Sequence, residues 1–156
     1  MDYLLLKWLH VLTSTVLFGT GIGSAFYLLL ATLHRDARVV AAVAGFVVIA
    51  DWLFTATTVV LQPLTGAWMM HVAAMPWRTP WLAWSIGLYA LAVACWLPVV
   101  WLQVRLRDLA RQAAATQSAL PASYWRAFRC WVLLGVPAFF AFVAVFYLMV
   151  VKALPW

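Results

Sequence analysis

Four long apolar stretches separated by three short polar breaks account for almost the whole chain. The first runs from about Tyr3 to Leu33 and stops at His34-Arg35-Asp36-Ala37-Arg38. The second runs from Val39 to about Val72 and is broken by Met75-Pro76-Trp77-Arg78-Thr79-Pro80. The third starts near Trp81, passes through Pro98 to about Leu102, and continues as an amphipathic extension bearing Arg105, Arg107, Asp108 and Arg111. The Ala-rich stretch from Gln112 to Ser123, with Pro121, reads as a plain connector, and the fourth apolar stretch runs from about Tyr124 to Leu154 around Pro137. About 20 apolar residues in a helix cross a hydrocarbon core of ~30 Å. The pattern therefore predicts an all-α integral membrane fold, a four-transmembrane-helix bundle over residues 1–156 as one domain, with helices about 3–33, 39–72, 81–111 and 124–154. The second stretch is longer than a bilayer requires, so it is expected to tilt, to kink near Pro63 and Gly66, or to project into water.

Composition agrees with this reading: 68% of the 156 residues are hydrophobic and 9% are charged, which excludes an ordinary soluble domain. The net charge of +6 lies beside the spans and not in a basic tract, so it speaks of anionic lipid and topology rather than nucleic acid. Arg35, Arg38, Arg105, Arg107, Arg111, Arg126 and Arg129 flank the first and third loops, against Lys7, Arg78 and Lys152 at the other end. An excess of Lys and Arg marks cytoplasmic loops. Both termini and the middle loop are then expected on the periplasmic side of a bacterial inner (cytoplasmic) membrane, with Trp8, Trp68, Trp77 and Trp81 as an outer aromatic belt. The N-terminus lacks the basic start of a cleavable signal peptide, so the first helix is expected to stay as an anchor. Cys95 and Cys130 fall inside spans and belong to no CxxC or Cys/His motif, which argues against a disulfide framework or structural zinc.

An ionisable group inside the hydrocarbon is costly, so the few present are the first candidates for function. They are Lys7, His10, Asp51, His71 and Lys152. On the first helix Lys7, His10, Ser14, Gly21 and Ser24 recur at helical spacing, a stripe expected to face the bundle, with Gly19, Gly21 and Gly23 beside it to admit a neighbouring helix or a flat cofactor. On the second, Asp51, Thr55, Thr58, Gln62, Gly66 and Met69 share a face. This polar seam suits helix-to-helix hydrogen bonding as well as a proton or substrate path. A neutral imidazole at the depth of His10 is the type of group that ligates a b-type haem axially, and equally one that bonds to a neighbouring helix. His71 lies at a similar depth and could be the opposite ligand, although an ideal helix puts it on another face from Gln62. Lys7 and Lys152 could meet haem propionates or snorkel to lipid phosphate. Asp51 reads as a proton relay, as a neutral acid bonded to another helix, or as a partner of Arg38 or Arg129. No nucleophile elbow, phosphate loop or metalloprotease helix is present in the sequence.

Lys7-Trp8-Leu9-His10, then Gly23-Ser24-Ala25-Phe26-Tyr27-Leu28 and His34, resemble the start of the HemJ family of membrane protoporphyrinogen oxidases. Pro63-Leu64-Thr65-Gly66-Ala67-Trp68, Trp81-Leu82, Phe128-Arg129, Val136-Pro137 and Val150-Val151-Lys152 extend the likeness over most of the chain. The chain looks closer still to a bacterial family of small integral membrane proteins that share the Lys-x-x-His start. The HemJ resemblance implies a four-helix bundle that binds haem b, with His10 at the key histidine and Lys7 and Lys152 at basic positions. Leu29-Leu30, Ala83-Trp84 and Leu134-Gly135 stand where that family has polar or charged pairs, which removes groups that would hold a porphyrinogen and move its protons. The expectation is thus a haem b membrane protein with a redox or electron-transfer role, HemJ-like porphyrinogen oxidation being one form of it. Its ligands would be His10 and His71, and its partners the bilayer, quinone or a periplasmic redox protein, and further copies or subunits. A cofactor-free scaffold subunit, and a small transporter or proton path using Asp51 and Gln62, are the alternatives.

Overall fold

A computed structural model describes residues 2–152. Four helices in it are long and apolar enough to cross a membrane, spanning Tyr3–His34, Ala37–Val72, Pro80–Ala115 and Ala122–Val151. Each begins where local chemistry dictates. Helix α1, Tyr3–His34, opens on Asp2, whose carboxylate accepts from the Leu4 amide at 3.2 Å. It closes on Arg35, which adopts the left-handed conformation (φ 62°) and returns its N–H to Thr32 O. Asp36 then caps α2, Ala37–Ala50, by accepting from the Arg38 amide at 2.8 Å, so the first loop is a tight reversal. Helix α4, Pro80–Ala115, starts with proline at its first position, where a missing N–H costs nothing. Helix α5, Ala122–Val151, follows Pro121.

The second span is not one continuous α-helix. Residues Asp51–Thr55 form a π-helical turn between α2 and α3, Ala56–Val72. This irregularity lies before Pro63 and Gly66, and the helices continue through Pro63, Pro98 and Pro137. Pro63 has no N–H to give the carbonyl of Val59, one turn back. The phenol of Tyr89 on α4 donates to that oxygen at 2.6 Å, so the orphaned acceptor is satisfied from a neighbouring helix. The third helix also runs further than the expected 81–111, through Ala115, and α5 begins earlier, at Ala122. The connector shrinks accordingly because the Ala-rich sequence after Arg111 favours helix. The expected continuation of the fourth helix to Leu154 falls on residues outside those described.

The core sits toward the arginine-rich end. Val40, Ala44, Leu102, Leu106, Ala110 and Tyr124 are buried there between α2, α4 and α5, with Leu28 and Ala31 of α1 against them. Alanine at so many contacts brings the helices close, the device that replaces hydrophobic driving force in lipid. Thr32 and Tyr124 share a buried hydrogen bond of 2.7 Å that joins α1 to α5, and the Arg35 guanidinium lies 5.7 Å from the centre of the Trp125 ring. Away from this end the bundle resolves into two pairs, α1 with α3 and α4 with α5. Between the pairs Phe18 of α1 stacks on Phe139 (5.8 Å between centroids) and meets Phe146 edge-on (5.1 Å); within the second pair Tyr89 of α4 meets Phe142 of α5 edge-on (6.1 Å).

Candidate functional site

The polar groups of α1 and α3 meet in one compact cluster. Gln62 is buried on α3, and its side-chain nitrogen donates to the carbonyl of His10 at 2.9 Å and to the hydroxyl of Thr13 at 2.6 Å. Thr13 has a single proton, which goes to Leu9 O at 2.9 Å, the usual resting place of a helical threonine hydroxyl. It therefore accepts from the amide, and both N–H groups of Gln62 are used. One turn further along α3, Thr65 Oγ1 lies 2.7 Å from Nδ1 of His10 and 2.7 Å from Leu61 O. With the imidazole proton on Nδ1, His10 donates to Thr65 and Nε2 keeps its lone pair; with it on Nε2, Thr65 donates to Nδ1.

The imidazole also packs beside α3 at Gly66. A Cβ there would lie 3.4 Å from His10 Cε1 and 3.9 Å from Nδ1, ordinary van der Waals distances. The sequence isolates His10 and Gln62 as candidates, but Thr13 and Thr65, which complete the cluster, are found only in the structure. The available signal was their spacing of three residues from His10 and Gln62 respectively, one helical turn.

Other expected site residues lie apart from this cluster. Lys7 is exposed, and Lys152 is exposed at the C-cap of α5. His71 is exposed in the last turn of α3 and makes no hydrogen bond to His10 among the described residues. It follows Gly66 by five residues, which turns it about 140° round an ideal helix from the position that meets the imidazole. The α1 stripe expected to face the bundle is corrected in part. Leu6, Thr13 and Leu17 are buried, whereas Lys7 and Gly21 are exposed, and a Cβ added at Gly19, Gly21 or Gly23 would meet nothing within 4 Å. Polar residues do not mark the inner face of this helix, because in lipid the inner face is set by packing and both faces are apolar.

Asp51 forms a separate feature. It is buried in the π-turn, where Oδ1 accepts from Trp96 Nε1 of α4 at 3.2 Å, while Oδ2 and the nearby Thr55 Oγ1 meet no hydrogen-bond geometry among the described residues. Neither Arg38 nor Arg129 pairs with it; Arg107 with Asp108, at 2.8 Å, is the ion pair among the described residues. Asp51, Thr55, Thr58, Gln62 and Thr65 are all buried on one side of the second span. Thr58, however, turns its hydroxyl to Phe54 O at 2.6 Å. No side-chain hydrogen bond among the described residues links Asp51 to Gln62, and some 16 Å of helix separates them.

Among the described residues, no three His, Cys, Asp or Glu side chains gather to hold a metal ion. The cluster thus offers one oriented imidazole. No curated protein and no solved structure matches the chain. A family model does, over residues 4–153, described as a predicted integral membrane protein. The chain belongs to that family, DUF2269, and is accordingly a multi-pass integral membrane protein in contact with the lipid bilayer.

Proposed function

We propose that the protein is a haem b-binding membrane protein in which His10, with its proton on Nδ1, would hold the iron through Nε2. The observation that carries this reading is the 2.7 Å hydrogen bond between His10 Nδ1 and Thr65, which fixes the ring direction as the outer-shell partners of metal-ligating histidines do. Gln62 holds the His10 backbone and Thr13 together, so the ligand stands on a braced turn of helix. The ring packs beside Gly66. A bound haem would supply one-electron chemistry. The role of the chain is then to hold the iron ligand, with Lys7 and Lys152 available at the same end of the bundle for anionic groups such as propionates. The likeness to the HemJ family supports the same assignment. With a single imidazole in the cluster, His71 is not needed as the second ligand. The arginine-rich end is taken as cytoplasmic by the positive-inside rule. That puts His10 near the periplasmic face of a bacterial inner membrane, within reach of quinone or a periplasmic redox protein.

The test is a reduced-minus-oxidised visible spectrum of detergent-purified protein with haem quantified per chain. Close to one b haem per chain is expected, lost in His10→Ala, and held roughly 10- to 100-fold more weakly in Thr65→Val, which removes only the orienting acceptor. Full haem in His10→Ala would overturn the assignment. A second reading, a cofactor-free scaffold, draws on the same bonds: Gln62, Thr13 and Thr65 are all satisfied between α1 and α3 and would serve as helix glue. A colourless but stably folded protein would favour it.

A further inference from the structure

The lipid-facing side of α2 carries a groove of about 300 Å³, and its lining combines two kinds of surface. Ala41, Ala42 and Gly45 make a shallow apolar floor, Phe46 and Ile49 stand beside it as walls, and Arg111 reaches over from α4. The two walls are open to hydrocarbon, with Phe46 70% and Ile49 62% exposed. One guanidinium nitrogen of Arg111 lies 3.6 Å from where a Cβ on Gly45 would be. Side chains on a helix lean toward its N-terminus, and α4 enters this region with its C-terminal turns. Arg111 is therefore drawn back along the bundle toward the apolar groove, away from the loop.

Its charge has no counterpart among the described residues. Arg111 makes no hydrogen bond or ion pair among the described residues. The carboxylates at this end are committed, Asp108 to Arg107 and Asp36 to the cap of α2. Nearby arginines differ: Arg105 lies 5.2 Å from the centre of the Trp101 ring on another face of α4, and Arg35 rests on Trp125. A cation at the head of a groove whose walls face acyl chains matches a molecule that is anionic at one end and hydrocarbon along the rest. Free phosphate would satisfy Arg111 but leave the floor and walls without a partner.

We infer that this groove is a binding site for one anionic diacyl phospholipid, its phosphate on Arg111 and an acyl chain along Ala41, Ala42, Gly45, Phe46 and Ile49. The site is independent of the haem reading and lies at the opposite end of the bundle from His10.

The experiment is native mass spectrometry of the full chain, delipidated in detergent and titrated with phosphatidylglycerol or phosphatidylcholine. One phosphatidylglycerol per chain is expected to bind at least fivefold more tightly than phosphatidylcholine, the order of advantage that one cation gives near an anionic headgroup. Arg111→Gln should erase that preference, Arg111→Lys should keep most of it, and Arg105→Gln should leave it unchanged. Gly45→Leu, which fills the floor but keeps the charge, should weaken both lipids. Equal losses in Arg105→Gln and Arg111→Gln would reduce the effect to diffuse charge and overturn the site. So would Gly45→Leu changing the number of chains per particle instead of lipid binding, since the groove would then be covered by a second copy.

Discussion

The two ends of the bundle are held together by different means. At the arginine-rich end α2, α4 and α5 interlock through alanine and leucine, with Leu28 and Ala31 of α1 against them; Gln103 Oε1 and Trp131 Nε1 are buried there without a hydrogen-bond partner among the described residues. Polar bonding is incidental to that half, apart from the Thr32–Tyr124 pair, and shape complementarity does the joining. At the His10 end the helices separate into pairs, and α1 is fastened to α3 by bonds from Gln62 and Thr65. A close-packed half can position a bundle but leaves no space for chemistry. A half built from paired helices and aimed polar groups can hold a reactive side chain in a chosen direction.

The contrast can be broken most severely in the packed half. Leu106 is fully buried (0% exposed) among α2, α4 and α5, and its truncation to Ala leaves a void that alanine neighbours cannot collapse into. A loss of about 2–4 kcal/mol is expected. Unfolding in mixed detergent and sodium dodecyl sulfate micelles, followed by circular dichroism, measures it; a change below about 1 kcal/mol would mean that the packing is not what stabilises this end.

Gln62→Leu sharpens the comparison at the other end. It keeps volume but removes two interhelical bonds, each worth on the order of 0.6 kcal/mol in a membrane, so a loss of about 1 kcal/mol is expected in the same assay. Its larger effect should be local. The His10 turn loses its brace, and if His10 ligates haem, the Soret band should broaden or weaken while the fold stays intact. An unchanged spectrum together with unchanged stability would show that the amide does not position α1.

How far the chain can be read without its structure follows the same division. Span number and approximate limits are legible because hydropathy in lipid is a strong signal: Arg35-Asp36 and Pro80 end and begin helices for reasons visible in the sequence. The inner faces are less legible. Lys7 and Gly21 were expected on the buried stripe and Leu6 and Leu17 occupy it, because apolar residues serve lipid and core alike. The π-turn at Asp51–Thr55 has no compositional mark. Thr58 and Gln62 beyond it are buried as an uninterrupted face predicts, and further along Thr65 and Met70 are buried in place of Met69. Thr13 and Thr65 are not marked by the sequence, because an isolated threonine in a span usually bonds only to its own helix, as both also do here.

Tyr89 and Pro63 join the two halves of this account, since a proline on one helix creates the acceptor that a tyrosine on another fills. The carbonyl of Val59 has no helical donor, and in hydrocarbon no water replaces it. Tyr89→Phe removes one interhelical bond and should therefore cost on the order of 0.6 kcal/mol, the smallest of these effects. Pro63→Ala restores the missing N–H within α3. In that background Val59 O has a partner of its own, and Tyr89→Phe should become nearly silent. A double-mutant cycle in the micelle assay would then give a coupling energy close to the whole cost of the single tyrosine change. Additive losses would instead mean that the cost of removing the hydroxyl does not depend on Pro63, and that the Val59 carbonyl is satisfied in some other way.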